Sequence, residues 1–191
     1  MALKYSEQAQ NKIVVYYIMP DEDKYIIDSI IKNDEGGFVL TTIPGDNDGG
    51  FTYGGITKKV WQEYCPSVTI DDFKTGSSEL AIAATIAVEI YSCEYFTPLK
   101  RQLWSMLCSP TAPLVFKMAI FSCAVNCGAQ TAINIYNESL KDYSLQVNPR
   151  IKFLKEWAKH YVEIVKSKPE DIKFLDGWIN RILNYAVMSQ Q

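Results

Sequence analysis

The carboxylates and glycines of one short segment are the residues of this chain best suited to chemistry. The segment DEGGFVLTTIPGDNDGGFTYGGIT, residues 34–57, holds most of the ten glycines of the 191-residue chain and no lysine, arginine or histidine. Glu35 follows Ile31 by one turn on the apolar stripe of a predicted helix, so burial should disfavour its charged form and raise its pKa. A protonated acid near a second carboxylate, here Asp46 or Asp48, is the arrangement that glycosidases use.

The helix that must position Glu35 is predicted to begin after Pro20, with Asp21 as its N-cap and an acidic first turn that suits the helix dipole. Gly36 and Gly37 supply its C-terminal stop. Under the alternative interpretation, Glu35 is an ordinary residue before that stop and has no chemical role. The Glu-Gly-Gly sequence alone favours this alternative, because such short patterns are weak signals.

The elements after this helix predict a small hairpin followed by helices. The turn-forming PGDNDGG lies between the β-branched pieces FVLTTI and FTYGGIT. From Ile56 onward the pattern is helical, and a nearly all-round apolar helix over residues 77–96 should stop at Pro98. Further helices are predicted over residues 113–126, 129–143, 150–167 and 169–188. The fold class is mainly α, with one small β-hairpin next to the helix that carries Glu35.

The composition argues against several classes of function. A net charge of −3 and a pI near 5.3 give no electrostatic basis for nucleic-acid binding. The longest apolar runs, Ile13–Met19 and Leu80–Ile90, are too short to span a bilayer, so no stable membrane insertion is expected. The N-terminus lacks the basic-then-apolar form of a secretory signal, so we expect synthesis in the cytoplasm.

The five cysteines contain no CxxC pair and predict reduced thiols rather than a disulfide framework or a zinc cluster. Cys123 and Cys127 are four residues apart and share one helix face, where small buried apolar residues are the ordinary interpretation. The single histidine, His160, argues against zinc peptidases and amidases, whose sites usually need two or three.

Several motifs follow one another in a fixed order along the first half of the chain. Glu35-Gly36-Gly37-Phe38 is followed by Asp46, by Gly49-Gly50-x-Thr52 and by Gly55-Ile56-Thr57. In this order they resemble glycoside hydrolase family 108, the peptidoglycan-cleaving N-acetylmuramidases of phage endolysins and secretion-linked lysins. The resemblance continues through IYSCEYFTP, FSCAVNCG and FLDGWINRI, the last being similar to the peptidoglycan-binding region that commonly follows.

The resemblance implies a lysozyme-like fold and assigns roles to residues of this chain. Glu35 matches the general acid that protonates the oxygen between N-acetylmuramic acid and N-acetylglucosamine. Asp46 and Thr52 match the aspartate and threonine that hold the attacking water in related phage lysozymes, with Asp48 as the alternative carboxylate. The segment between EGG and GGxT is longer than usual in the family, and its acidic turn reads Asp46-Asn47-Asp48, which leaves open which aspartate faces Glu35.

Substrate-binding candidates lie around these catalytic residues and along the next helices. A ring such as Tyr91 can stack on a sugar, but at helical spacing it more often belongs to the core. Asn126 either donates to an acetamido group or caps the end of its helix. Tyr53 stands where the family has an asparagine-aromatic pair, which puts its sugar contact in doubt. The complete set of substrate-binding candidates is Asp48, Tyr53, Thr57, Tyr91 and Asn126.

The sequence predicts an N-terminal extension over residues 1–20 and one lysozyme-like domain over residues 21–188. Its catalytic part is expected over 21–100 and a helical, peptidoglycan-binding-like part over 101–188. The expected partner is the glycan strand of bacterial peptidoglycan, reached in the periplasm or outside the cell through a holin or a secretion machine. We expect a monomer without metal or cofactor, since proton donation and a carboxylate suffice for glycoside hydrolysis.

Two functions of other classes also fit the sequence. The first is a catalytically inactive module of the same fold that binds peptidoglycan or a protein. The second is a cysteine peptidase or amidase, which would require His160 to lie beside one of the five cysteines.

Overall fold

A computed structural model describes residues 5–6, 19–42, 50–74, 77, 79–141 and 148–188 of the protein. The chain forms two compact units, Met1–Glu94 and Tyr95–Gln191. In chain order, the first holds α1 (Asp21–Asn33), β1 (Leu40–Thr41), β2 (Thr52–Tyr53), β3 (Ile56–Thr57), α2 (Lys58–Tyr64), a 3-10 turn (Ile70–Phe73) and α3 (Leu80–Ile90). A π-helical turn, Tyr91–Phe96, leads to α4 (Thr97–Gln102), α5 (Trp104–Leu107), α6 (Leu114–Cys127), α7 (Ala129–Lys141), α8 (Pro149–Ser167), a 3-10 turn (Pro169–Asp171) and α9 (Ile172–Val187). This architecture confirms the predicted mainly α, lysozyme-like fold class.

Helix α1 forms as the sequence predicts, with one difference at its start. Asp21 is the first helical residue rather than the N-cap, and Pro20 in the cap position makes no side-chain cap hydrogen bond. The acids of the first turn still face the positive end of the helix dipole. Four isoleucines at positions 26, 27, 30 and 31 are buried and attach the helix to the core of the first unit.

The glycines after α1 end the helix as predicted. The backbone N–H groups of Asp34 and Glu35 both donate to the carbonyl of Ile30, at 2.9 and 3.2 Å. Gly36 and Gly37 follow with φ of +75° and +82°, a region in which a residue with a Cβ atom is strained. The chain therefore leaves the helix immediately after Glu35.

The three strands form one antiparallel sheet in the order β1-β2-β3. The pairing of β1 with β2 confirms the predicted hairpin. Strand β3 was not expected, because Ile56 and Thr57 were assigned to the start of a helix that in fact begins at Lys58. Gly54 and Gly55 make the two-residue turn between β2 and β3 with φ of +58° and +74°, the signs that a type I′ turn requires.

An aromatic cluster anchors the sheet in the core of the first unit. The ring of Phe73 lies 4.6 Å from Tyr53, 4.9 Å from Trp61 and 5.3 Å from Phe51, measured between centroids. The indole N–H of Trp61 also donates to the backbone carbonyl of Tyr53 at 3.4 Å. Since buried aromatic rings contribute large contact areas, the position of β2 is determined by packing as well as by its short ladder.

The apolar helix of the first unit does not stop at Pro98, so that prediction is wrong. Helix α3 passes into the π turn and then into α4, where Pro98 occupies the first turn. Proline is tolerated there because the first N–H groups of a helix have no partner within it. The resulting run, Leu80–Gln102, is long and apolar enough to cross a membrane by length and composition alone, a test that buried core helices also pass.

Helix α6 supplies the centre of the second unit. Every residue from Phe116 to Ala124 is buried. Helix α7 packs against α6 and α8, and α9 packs against α8 and α6. Gly128, with φ of +88°, separates α6 from α7. At the start of α8 the Asn148 side chain accepts a hydrogen bond from the Arg150 backbone N–H at 2.9 Å and caps the helix.

Candidate active site

Glu35 lies just beyond the end of α1, and its side chain is partly exposed. The carboxyl packs directly on the backbone of Gly55. A Cβ atom added to Gly55 would collide with Oε2 of Glu35 and lie 2.8 Å from its Cγ. Glycine is the residue that permits such a close approach of backbone to a functional group. The β2–β3 turn therefore forms a wall against the Glu35 carboxyl.

Tyr91 fastens the same turn to the helical part of the first unit. Its hydroxyl donates to the backbone carbonyl of Gly54 at 2.7 Å. The same oxygen lies 2.7 Å from the position of an added Cβ on Gly55. The ring is buried, with 1% of the residue exposed. Tyr91 thus reaches the site through its hydroxyl and presents no open ring face to a sugar, which corrects the predicted stacking role.

Three threonines lie side by side across the sheet. The register pairs Thr41 with Thr52 and Thr52 with Thr57, and directly paired residues project from the same face. The neighbouring Tyr53 projects from the opposite face into the core. Thr52 and Thr57 are partly exposed, so this threonine row lines the face of the sheet that is turned away from the aromatic cluster.

Tyr53 belongs to the core rather than to an open surface. It is 2% exposed and stacks on Phe73, with the two rings inclined by 19°. Burial raises the pKa of its hydroxyl. A ring buried to this extent presents no face to a sugar, so the predicted substrate contact is replaced by a role in holding β2 on the core.

The segment that carries these residues matches a known protein family. The model described as Glycosyl hydrolase 108 matches residues 28–128, more than half of the chain. The chain belongs to the glycosyl hydrolase 108 family. The matched range includes Glu35, the whole sheet and Tyr91. Comparison with curated proteins and with solved structures gives no match.

The family match confirms the resemblance found in the sequence, and it indicates the general type of reaction that the protein catalyses. Family 108 enzymes hydrolyse peptidoglycan, so this family 108 hydrolase is a glycosidase with a glycan substrate. The match ends at Gly128. The peptidoglycan-binding-like region expected over residues 101–188 lies mostly beyond that point and stays a prediction.

Three further site residues are predicted from the sequence of the family 108 hydrolase, namely Asp46, Asp48 and Asn126. Asp46 and Asp48 fall within residues 43–49, which lie outside the described part of the chain. Asn126 belongs to the second unit, where it is exposed on the last turn of α6. Its Nδ2 atom donates to the carbonyl of Ser122 at 3.5 Å. Its role in substrate binding stays a prediction.

Sequence reasoning missed two buried or partly buried carboxyl–phenol pairs in the first unit. Glu89 is 1% exposed and accepts a hydrogen bond from the Tyr5 hydroxyl. Burial raises the pKa of Glu89, while the bond from Tyr5 lowers it. Glu94 accepts from the Tyr64 hydroxyl at 2.5 Å. One hint of these pairs was visible in the sequence, namely the glutamates within an otherwise apolar helix. The sequence could not identify their partners, because these lie 84 and 30 residues away along the chain.

The side chains that could bind a metal ion and the five cysteines were located in the structure. Within the described ranges, no group of three or more His, Cys, Asp or Glu side chains is placed to hold a metal ion. The five cysteines are free thiols, of which Cys65 and Cys123 are buried. Burial raises the pKa of Cys65 to about 11 and lowers that of His160.

Proposed function

We propose that this family 108 hydrolase is an N-acetylmuramidase, with Glu35 as the general acid that cleaves the β-1,4 bond between N-acetylmuramic acid and N-acetylglucosamine. The contact between Glu35 and Gly55 carries the proposal. It holds a partly exposed carboxyl against a glycine turn whose own position is fixed by Tyr91. A general acid must be held within hydrogen-bond reach of the oxygen that it protonates.

In the proposed reaction the Glu35 carboxyl gives its proton to the glycosidic oxygen. The bond from that oxygen to the anomeric carbon breaks, and positive charge develops on the sugar ring. Asp46 supplies the negative charge that offsets it or activates the attacking water, and the Thr52 hydroxyl helps to hold that water. Addition of water to the anomeric carbon completes hydrolysis, and the proton released by the water restores the acid. The separation of the two carboxyls decides between inversion and retention.

Thr57 is assigned to substrate binding within this proposal. It lies beside Thr52 in the register of β2 and β3 and is partly exposed on the same face. Two neighbouring hydroxyls can donate to and accept from sugar hydroxyl and acetamido groups. The threonine row is therefore a surface whose chemistry suits a glycan.

Product analysis tests the proposal. Purified peptidoglycan is incubated with the enzyme, the new reducing ends are reduced with borohydride, and the sugars are released by acid hydrolysis. Muramitol is the expected product, because a muramidase leaves muramic acid at the reducing end. Glucosaminitol would instead indicate cleavage of the other glycosidic bond, and released amino groups would indicate a peptidase or amidase. Cosedimentation with peptidoglycan without any product would favour the inactive binding module.

The assignment of the second carboxylate has its own test. Asp46→Asn is expected to lower the rate of muramitol formation by about a hundredfold or more, since it removes the charge that the transition state requires. Asp48→Asn is the matched variant two positions away and is expected to affect substrate affinity more than turnover. The reverse order of the two effects would assign the catalytic role to Asp48.

Delivery to the cell wall forms the last part of the proposal. The substrate lies outside the cytoplasmic membrane, so we propose that a holin or a secretion machine brings the enzyme to it. The enzyme is proposed to act there as a monomer.

A further inference from the structure

Phe38 is an exposed aromatic residue at the turn that contacts Glu35. The residue is 41% exposed. A Cβ atom added to Gly54 would lie 3.3 Å from Cδ1 and 3.8 Å from Cε1 of the ring, so one edge of the ring packs on the backbone of the β2–β3 turn. The Gly54 N–H also donates to the carbonyl of Val39, the residue after Phe38, at 3.3 Å. The proposed reaction makes no use of this ring.

Phe38 and Glu35 contact adjacent glycines of the same turn. The ring packs on Gly54, and the Glu35 carboxyl packs on Gly55. Because consecutive Cα atoms are about 3.8 Å apart, these contacts place Cδ1 of Phe38 within about 13 Å of Oε2 of Glu35. A short oligosaccharide bridges that distance. A glycan strand bound at the proposed acid is therefore long enough to reach the ring.

The Phe38 ring is held in place from the core side. Its centroid lies 6.1 Å from that of Tyr53, and the two rings are inclined by 27°. Tyr53 is itself 2% exposed and stacks on Phe73. A ring that is packed on one side and exposed on the other binds a ligand with little further loss of side-chain entropy. Phe38 is thus a preorganised apolar surface beside the site.

We propose that Phe38 is a sugar-binding platform next to the proposed general acid, on which one pyranose ring of the glycan strand stacks. This inference rests on the proposed function, since it takes the glycan strand as the ligand. The axial C–H groups of a β-linked pyranose form an apolar face. The face of an aromatic ring carries negative charge density and attracts such C–H groups.

The position of Phe38 distinguishes it from other exposed apolar residues. Single exposed apolar side chains are common on protein surfaces and need no functional explanation. Tyr25 on α1, which is 57% exposed, is such a residue in the same unit. It lies about 15 Å along the helix before Glu35, whereas Phe38 packs on the turn that the Glu35 carboxyl contacts.

Binding of glycan strands to an inactive enzyme tests the platform separately from catalysis. Peptide-free strands, prepared by digesting peptidoglycan with an amidase, are titrated calorimetrically into Glu35→Gln, the parent, and into Glu35→Gln that also carries Phe38→Leu. Leucine keeps an apolar side chain but has no aromatic face, so the Kd should rise roughly threefold to tenfold. Phe38→Tyr keeps the ring and should bind as tightly as the parent. An unchanged Kd in Phe38→Leu, or no measurable binding to the parent, would overturn the proposal.

Tyr25→Leu in the same background is the matched control, because it also replaces an exposed aromatic ring by leucine. It should leave the Kd of the glycan strands unchanged. A rise equal to that of Phe38→Leu would contradict the assignment of the platform to Phe38. If Phe38→Leu does not unfold cooperatively in urea, Phe38→Trp provides the test. The fluorescence of its added indole should change on saturation with glycan strands, and the absence of any change relative to the parent would overturn the platform.

Kinetics of the active enzyme distinguish a failure of this inference from a failure of the proposed function. The ground state and the transition state both make the stacking contact, so Phe38→Leu should raise the KM for glycan strands with little change in kcat. Weaker binding in Phe38→Leu without any muramitol from the wild type would reject the muramidase and support the platform. Muramitol release with the same KM in both proteins would support the muramidase and reject the platform.

Discussion

The backbone of Gly55 touches the carboxyl of Glu35, and no other residue type fits between them. A methyl group on Gly55 would collide with Oε2 of Glu35, and the φ of +74° adds backbone strain. The carboxyl is the flexible end of its side chain and would move. The added atom would also lie 2.7 Å from the hydroxyl of the buried Tyr91 and 2.8 Å from Cγ of Glu35, so these groups would have to shift as well. The β2–β3 turn therefore fixes where the proposed acid points.

Gly55→Ala is accordingly expected to lower turnover by about a hundredfold, the size of effect that a misplacement of about 1 Å can have. Its cost in the free energy of unfolding should exceed the about 1–2 kcal/mol expected from the positive φ alone, because the added atom also collides with Glu35 and with the hydroxyl of the buried Tyr91. Gly128→Ala is the matched control, because its φ is +88° and nothing lies within 4 Å of the added atom. Both variants should lose stability through the positive φ, and only Gly55→Ala should lose activity. Equal activity in the two would contradict the positioning role of Gly55.

Tyr91→Phe should also lower turnover, because it removes the hydrogen bond that fixes Gly54. The buried carbonyl left behind should cost about 1–3 kcal/mol in the free energy of unfolding. Tyr64→Phe is the matched control, since it removes another phenol hydrogen bond in the first unit, to Glu94. Urea unfolding and muramidase rates are measured on both variants. A Tyr91→Phe enzyme with wild-type turnover would show that the hydroxyl stabilises the fold without positioning the site.

Thr52→Val should reduce turnover more than Thr41→Val. Both substitutions replace a hydroxyl by a methyl group in the same cross-strand row, and valine suits a strand at least as well as threonine. Thr41 is exposed on the outer strand and has no assigned role. Rates of reducing-end formation at saturating peptidoglycan give the comparison. An equal loss of turnover in the two variants would contradict the proposed role of the Thr52 hydroxyl in holding the attacking water.

The pH dependence of stability should report on Glu89. Its pKa is raised above the ordinary 4.5, chiefly by burial, so the folded state binds the proton more tightly than the unfolded state does. Protonated Glu89 therefore contributes favourably to the free energy of unfolding. This contribution is fully present at a pH below the pKa of Glu89 in the unfolded chain, and it is lost as the pH rises through the higher pKa of Glu89 in the folded protein. Glu89→Gln, which stays neutral, should therefore gain stability relative to wild type as the pH rises through that window.

Urea unfolding at a series of pH values measures the difference between wild type and Glu89→Gln. Glu63→Gln is the control, because Glu63 is an exposed glutamate of the same unit. It should follow the wild-type profile. If the Glu89→Gln and wild-type profiles run parallel at every pH, the raised pKa of Glu89 is not supported.

The sequence predicted those features that local chemistry determines. The helix ends after Asn33 because the residues that follow include Gly36 and Gly37, and glycine stops can be recognised from type and position. The hairpin likewise followed from a glycine-rich turn between β-branched pieces. The order of the glycine and carboxylate motifs also led to the family, which the match over residues 28–128 confirms.

What the sequence did not predict depends on contacts between distant residues. The Gly54-Gly55 pair is a type I′ signal, but its contact with Glu35 requires the end of α1 and the β2–β3 turn to meet in space. The hydroxyl of Tyr91 finds Gly54 across 37 residues of sequence. Helical spacing indicated that the Tyr91 ring was buried without indicating what its hydroxyl would bind.

The release of muramitol by wild type and by Glu35→Gln tests the central claim most directly. Glutamine keeps the shape of the side chain, but its amide has no acidic proton to transfer, so the proposed general acid is lost with little change in packing. Both proteins are first shown to unfold at the same urea concentration, and borohydride-reduced products are then quantified from the same peptidoglycan. We predict muramitol from wild type and at least about a hundredfold slower release from Glu35→Gln. Muramitol release by Glu35→Gln at the wild-type rate would contradict the account.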